Sequence, residues 1–203
     1  MLGGNIGVQN KLDRMFNEGY GRPRWSFYNV LPDSTGDMGK FCMGNEPSFH
    51  IPYMYNYAGA PWKTQKLVRK VLRAWFRDDL MGMYGDEDGG GMSAFAVFSM
   101  MGFYPVTPGL AEYQWGSPVF SKVTIHLENG NDFVISAPKS TMDAKYIQSL
   151  TIDGKKMDHT TVLNHSDIMR GCKVLIEMSN RPNWTWGIPS AQQGKHLAGH
   201  EGR

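Results

Sequence analysis

Residues 122–135 read KVTIHLENGNDFVI, and this stretch decides the class of fold. On both sides of Asn129-Gly130 the apolar residues alternate with polar ones. A period of two is typical of a strand that buries one face. An Asn-Gly pair between two alternating runs is a strong signal for a tight hairpin turn. The stretch therefore predicts two antiparallel strands.

Upstream of this hairpin the apolar residues recur with a period of about 3.6 residues, which indicates helices. Apolar stripes over residues 8–16 and 61–77 predict amphipathic helices, and the almost wholly apolar segment 92–101 predicts a buried one. A shorter helix is predicted over residues 46–57, because a proline suits the first helical turn. Residues 19–40 are rich in glycine, proline and aromatics and predict a loop.

Downstream of the hairpin, strands are predicted over residues 146–152 and 173–178, with a short helix starting at residues 164–167 between them. The chain is thus helical up to about residue 102 and β-rich from about 113 to 180. Segregated helices and strands are typical of an α+β fold with two structural units.

Composition excludes several classes of function. The 203 residues carry a net charge of only +2, which gives no reason to expect nucleic acid or an anionic membrane as partner. No apolar run approaches the roughly 18 residues that span a bilayer. The two cysteines, Cys42 and Cys172, are too few for a disulfide framework or a four-cysteine zinc site.

The first motif that can carry chemistry is GNEPSFH, residues 44–50. Asn45 and Glu46 offer hard oxygen ligands for a divalent cation, or acceptors for sugar hydroxyls. The alternative is that they cap the helix that follows. His50 lies within that helix, where a single histidine is more often structural than catalytic.

The second motif is GDEDGGG, residues 85–91, directly before the apolar segment. Three adjacent acids repel one another, and flanking glycines let the backbone turn sharply. An ionised carboxylate serves a general base or a calcium ion. The alternative is a solvated acidic turn that caps the next helix. The spacing is not that of an EF-hand, and no phosphate-binding Gly-Lys-Ser/Thr follows.

The helix over residues 61–77 also has a basic face, formed by Lys66, Arg69, Lys70, Arg73 and Arg77. Such a run can bind anions, although a solvated helix face is its usual role. Nucleic-acid binding is not indicated, because no aromatic stacking pattern accompanies the run.

Four ordered motifs together resemble one known family. They lie at residues 44–53, 55–65, 85–93 and 101–109, the last reading MGFYPVTPG. They closely resemble the C-terminal part of glycoside hydrolase family 92, whose members are calcium-dependent, inverting, exo-acting α-mannosidases. The resemblance covers nearly the whole chain up to about residue 187.

This resemblance implies a particular architecture. Family members have an N-terminal β-sandwich, a central α/α toroid of helical hairpins, and strands after the toroid that pack on the sandwich. On that basis the fold is α+β, with residues 1–110 as the C-terminal part of the toroid. Residues 111–190 are then antiparallel strands that pack on or complete the β-sandwich, and residues 191–203 are a disordered tail.

The resemblance also assigns roles to residues of the two motifs. The acidic motif supplies the catalytic base, with Asp86 and Asp88 as the candidates. Asn45 and Glu46 are implied as calcium ligands, and Glu46, His50 and Glu87 as substrate-binding residues. Calcium is the cofactor that the resemblance implies.

One catalytic group of the family has no counterpart in the sequence. The family's general acid is a glutamate in an upstream aromatic-rich motif, and neither Asp13 nor Glu18 matches it. We therefore expect a fragment of an α-mannosidase that is a poor catalyst by itself. The alternative is a non-catalytic mannose- or calcium-binding remnant, or an inactive truncated product.

The resemblance further implies the substrates and the compartment. Mannose-containing glycans of the N-glycan or yeast-mannan type are the expected partners, with no nucleic acid and no membrane span. Family members are usually secreted or periplasmic. The first residues show no basic region followed by an apolar core, so the sequence predicts no signal peptide.

Overall fold

The computed structural model describes residues 2–19, 37–80 and 82–190. The predicted tail over residues 191–203 and most of the predicted loop over 19–40 lie outside the described residues. Within that loop prediction, Asp37–Met38 instead forms a strand, β1, which pairs antiparallel with β2, Phe41–Cys42.

The first half of the chain is helical, as predicted. Helix α1, Gly4–Asn17, buries Leu12 and Phe16 on its apolar stripe. The single helix predicted over residues 46–57 is wrong in detail: two 3-10 turns, Glu46–Ser48 and Ile51–Tyr53, precede a short α2, Met54–Tyr57. Each 3-10 turn contains a proline, which lacks the N–H that a continuous helix would need.

Two longer helices follow. Helix α3, Pro61–Trp75, buries the apolar stripe that the period predicted. Helix α4, Gly91–Met101, ends at Gly102, whose φ of 105° is the left-handed conformation of a helix C-terminus. Burial all round α4 was expected from its composition, but Val97 is 56% exposed. No helix of the described residues is long and apolar enough to cross a membrane.

The second half forms two sheets around a short helix α5, His165–Met169. One sheet has the order β3-β4-β9, with β3 at Phe103–Tyr104, β4 at Glu112–Trp115 and β9 at Val162–Asn164. The other has the order β5-β6-β10-β7-β8. Its strands are β5 at Lys122–His126, β6 at Asp132–Ser136, β7 at Tyr146–Ile152, β8 at Lys155–Lys156 and β10 at Lys173–Ser179. The α+β class is confirmed.

The hairpin predicted over residues 122–135 is present as β5 and β6, with Ile125 opposite Phe133. One pairing differs from the antiparallel prediction: β10 runs parallel to β6, with Val174 opposite Ile135, and antiparallel to β7 on its other side. A parallel pair needs a crossover between its strands, and residues 137–172 provide it.

Buried apolar residues form two clusters, one mainly helical and one mainly in the sheets. Buried polar side chains join the two halves. The Gln65 side-chain oxygen on α3 accepts a hydrogen bond from the backbone N–H of Ile147 on β7, at 3.1 Å. The Asn56 side chain on α2 donates to the Trp115 carbonyl on β4, at 2.9 Å. The helices are thereby fixed relative to the sheets.

Candidate active site

The two motif loops lie in direct contact. The backbone N–H of Asp86 donates a hydrogen bond to the carbonyl oxygen of Gly44, at 2.9 Å. The neighbouring residue, Gly85, has a φ of 73°, and a Cβ at this position would lie 2.0 Å from that same oxygen. Only glycine fits there, so the glycine before the acids is what lets the loops meet.

In the first motif, Asn45 caps the turn that follows it. Its side-chain oxygen accepts a hydrogen bond from the N–H of Glu46, at 2.7 Å. The capping interpretation of Asn45 is therefore confirmed. An amide oxygen has two lone pairs, so the cap leaves one for a ligand.

Glu46 has a buried side-chain oxygen, Oε1, with no hydrogen-bond partner among the described residues. This atom lies against Gly91, where a Cβ would come within 3.0 Å of it. Gly91 is the first residue of α4, so the carboxylate lies at the N-terminal end of that helix. The helix dipole favours negative charge there. A buried carboxylate oxygen without a protein donor is suited to bind a hydroxyl or a cation.

Tyr104 is near enough to Glu46 for the carboxylate charge to act on it, and no role was predicted for it from the sequence. Burial, and secondarily the charge of Glu46, raise the pKa of Tyr104 to about 12. Its ring stacks on that of Tyr53, with the ring centroids 5.4 Å apart. At neutral pH Tyr104 is thus protonated and can donate a hydrogen bond. Its position in the fourth motif, residues 101–109, was the available signal.

In the second motif, the middle acid caps α4. Glu87 Oε1 accepts from the N–H of Met92 at 3.1 Å, and Oε2 accepts from the N–H and hydroxyl of Ser93 at 2.9 and 2.6 Å. Gly90, at the N-cap position, has no side chain to do this. Both carboxylate oxygens of Glu87 therefore bind the helix, and its predicted contact with substrate stays a prediction.

The outer two acids differ in exposure. Asp86 is half-buried, whereas Asp88 is exposed and its carboxylate has no hydrogen-bond partner among the described residues. The Asp88 carbonyl accepts a hydrogen bond from the N–H of Gly91 at 3.0 Å, which closes the turn. The loop thus presents the Asp88 carboxylate to solvent, as a base that activates water requires.

His50 lies at the edge of this arrangement. It is exposed, and its carbonyl accepts from the N–H of Tyr53 at 3.0 Å. The structure gives its imidazole no contact with the other predicted site residues within the described chain. Its assignment to substrate binding stays a prediction.

The residues fit a calcium ion in part. Glu46 Oε1 and the second lone pair of the Asn45 amide are hard oxygen donors of the kind that calcium prefers. Calcium takes about six to eight such ligands. Within residues 2–19, 37–80 and 82–190, however, no group of three or more His, Cys, Asp or Glu side chains is arranged to hold a metal. The assignment of Asn45 and Glu46 as calcium ligands therefore stays a prediction.

Comparison with known proteins agrees with the resemblance. Residues 1–180 match the glycosyl hydrolase family 92 catalytic domain. The structure matches the family GH92 α-mannosidase BT3965 of Bacteroides thetaiotaomicron with a TM-score of 0.80 and 32% identity, over 91% of this chain and 24% of that one. It matches the family GH92 inverting mannosidase BT2199 of the same organism with a TM-score of 0.78 and 36% identity, over 94% of this chain and 26% of that one.

A curated relative from Arthroderma benhamiae is described as an uncharacterized secreted glycosidase. It is 30% identical over 158 residues, which are 76% of this chain and 20% of that protein. The class indicated by these matches and by the carboxylate-bearing loops is the glycoside hydrolases. More narrowly, the chain belongs to glycosyl hydrolase family 92. It spans about a fifth to a quarter of the length of these relatives.

Proposed function

We propose that this chain forms one side of the active site of an exo-acting, inverting α-mannosidase. The observation that carries the proposal is the contact between the two motif loops through Asp86 N–H and Gly44, at 2.9 Å. This contact holds the first motif, with the unpartnered Glu46 oxygen, against the end of α4 that the acidic loop precedes. The mannosidases among the structural matches support the choice of mannose as the sugar.

In this proposal one of two carboxylates is the general base. Asp88 is the more open of the two, and Asp86 lies beside it. The base removes a proton from a water molecule that attacks the anomeric carbon from the face opposite the leaving group. In inverting glycosidases the acid and base stand about 6.5–9.5 Å apart to leave room for this water. We assign the acid to a part of the family fold that this chain does not span.

The first motif binds the sugar. Glu46 accepts hydrogen bonds from mannose hydroxyls, and the protonated Tyr104 hydroxyl donates a hydrogen bond in the same place. We further propose Glu46 and Asn45 as calcium ligands, because their oxygens suit a hard cation. When bound, calcium supplies a positive charge that polarises the sugar hydroxyls.

Mannose-containing glycans of the N-glycan or yeast-mannan type are the proposed substrates. A secreted or periplasmic location is proposed as well, and the relative described as a secreted glycosidase supports it. Both proposals concern a whole protein of the family, because this chain covers only about a quarter of the length of each solved relative.

A chimera tests the proposal. Residues 2–190 replace the matching quarter of BT3965, and hydrolysis of an aryl α-mannoside is measured with and without EDTA. We expect calcium-dependent release of mannose with inverted anomeric configuration, as followed by proton NMR. Removing a general base typically costs about 100- to 10,000-fold in rate. At least one of Asp86→Asn and Asp88→Asn should therefore abolish most activity, whereas Asp143→Asn, the exposed matched control, should not.

The same chimera separates the proposal from its alternative. If it folds and binds mannoimidazole yet hydrolyses nothing, the chain is a non-catalytic binding remnant. If neither Asp86→Asn nor Asp88→Asn lowers the rate, the assignment of the base is wrong. The isolated chain serves as a further control, because without an acid we expect it to be inactive.

A further inference from the structure

A cleft of about 460 Å³ lies apart from the candidate active site. It is lined by α3, by the last turn of α4, and by the segments around residues 119 and 142–145. The acidic motif precedes the other end of α4. Because α4 has 11 residues, the two ends are about 16 Å apart at the usual rise of a helix. The cleft is thus a separate feature, of a size typical of small-molecule sites.

The cleft concentrates positive charge. Five cations and one acid, Asp143, line it, although the whole chain carries only +2. The cations are Lys66, Arg69, Lys70, Arg73 and Lys145. Within the described part of the chain none of the five forms an ion pair, whereas Arg14, Lys63 and Arg170 elsewhere each do. Like charges three and four residues apart on a helix repel one another, so the arrangement favours a bound anion.

One of these cations is held in a fixed position. Arg69 is half-buried, and its Nε donates to the Ser117 hydroxyl at 3.0 Å. Its Nη2 donates to the Ser140 hydroxyl at 2.8 Å and to the Thr141 carbonyl at 3.1 Å. These bonds leave the Nη1 group for a ligand. A guanidinium that is already ordered loses little entropy on binding.

Part of the cleft lining is apolar. Its apolar residues are Leu72, Met100, Val119 and Met142, of which Met142 is 62% exposed. Methionine side chains are flexible and polarisable, and adapt to irregular apolar ligands. Free inorganic anions gain nothing from such a lining. A ligand with both an anionic group and an apolar body uses the cations and the apolar residues together.

We propose that this cleft is a binding site for a small amphipathic anion, with its carboxylate, phosphate or sulfate group on Arg69 and the lysines of the cleft and its apolar body against the apolar lining residues. The basic run on α3 is then more than a solvated helix face. Lys66, Lys70 and Arg73 are exposed, as that interpretation expected, but Arg69 is half-buried and bonded to Ser140 of the sheet half.

Calorimetric titration of the isolated chain with octanoate, below its micellisation concentration, tests the proposal. Amide chemical shifts show whether the bound molecule contacts the cleft. Inorganic phosphate supplies the anionic group alone and 1-octanol supplies the apolar body alone. We expect octanoate to bind more tightly than either. Equal binding of 1-octanol, or equal binding of phosphate, would overturn the amphipathic assignment.

Two pairs of glutamine variants test whether octanoate binds in the cleft. Lys70→Gln combined with Arg73→Gln should weaken octanoate binding by about tenfold or more, because hydrogen bonds to charged groups are among the stronger ones. Both residues are exposed, so circular dichroism should remain unchanged. The matched control is Lys155→Gln with Lys156→Gln, which removes the same charge from exposed β8. Equal weakening in both pairs would place binding outside the cleft.

Another result would also contradict the assignment. If a hexaglutamate peptide binds the cleft more tightly than octanoate, the surface accepts acidic polypeptide, and the small-ligand proposal is wrong. Met142→Gln distinguishes the cases further: it should weaken octanoate but leave phosphate unchanged.

Discussion

At the scale of single residues, Gly85 has the most restricted position in the candidate site. Its φ is 73°, and a Cβ would lie within 2.5 Å of three backbone atoms of Gly44. We expect Gly85→Ala to lower the free energy of unfolding by about 3 kcal/mol or more, from backbone strain and overpacking combined. Urea unfolding followed by circular dichroism measures this.

The same loop offers a matched control for that prediction. Gly89 also has a positive φ, 57°, but nothing lies within 4 Å of the Cβ it would carry. Gly89→Ala should therefore cost only the strain of the left-handed conformation, about 1–2 kcal/mol. Equal losses in the two variants would show that the loops do not meet at Gly44.

Glu87 gives a second prediction at this scale. Because its carboxylate caps α4 through three hydrogen bonds, Glu87→Ala should lower the free energy of unfolding by about 1–2 kcal/mol. Glu128→Ala, at an exposed position of the β5–β6 turn, should change it by less than about 0.5 kcal/mol. A loss in Glu87→Ala no larger than in Glu128→Ala would contradict the capping role.

The residues also show how far sequence reasoning reaches. The capping role of Asn45 follows from local chemistry, and the sequence predicted it as one of two alternatives. The burial of the unpartnered Glu46 oxygen against Gly91, and the effect of its charge on Tyr104, depend on residues far apart in the chain, which no local pattern encodes. The acidic motif was found because glycine and acid clusters are visible in sequence. The sequence did not show which of the three acids caps the helix.

At the scale of elements, the sequence predicted the long helices and the β5–β6 hairpin, because their apolar periods extend over many residues. It missed β1, β2, β3, β4, β8 and β9, which have only two to four residues and are too short to show a period. The parallel pairing of β10 with β6 also escaped prediction, since strand order is set by packing across the sheet.

The helical cluster contains several tyrosines whose ionisation opposes folding. Burial raises the pKa of Tyr53, Tyr55 and Tyr146, and it raises that of Tyr104 to about 12, with Glu46 contributing. The unfolded chain ionises these phenols near their ordinary pKa of 10.0. The folded chain then binds more protons than the unfolded one, so stability falls as pH rises from about 10 towards 12.

Urea unfolding at a series of pH values checks this expectation. The free energy of unfolding should decline as the pH rises from about 10 towards 12. Tyr104→Phe should show a shallower decline, because one of the titrating groups is gone. An identical slope in this variant would show that Tyr104 does not contribute.

At the scale of the whole molecule, substitutions at two adjacent residues of α3 should have opposite effects on the free energy of unfolding. Gln65 is buried and accepts from the Ile147 N–H, so Gln65→Leu leaves a buried donor unpaired. That should lower the free energy of unfolding by about 1–3 kcal/mol. Thr64 is equally buried, but its hydroxyl has no partner in the described chain. Thr64→Val should be neutral or stabilising. Thermal unfolding of both variants measures the difference, and an equal loss would contradict it.

The position of β10 has a consequence for synthesis on the ribosome. It is the last strand of the described chain, yet it lies between β6 and β7 near the middle of its sheet. Until residues 173–179 emerge, β6 is paired only with β5 and β7 only with β8, and the edges that β10 will cover are open to pairing with other chains. The nascent sheet is therefore at risk of aggregation until β10 is in place. If translation stops shortly before residue 173, the released chain lacks β10, and we expect chaperones or proteases to bind it.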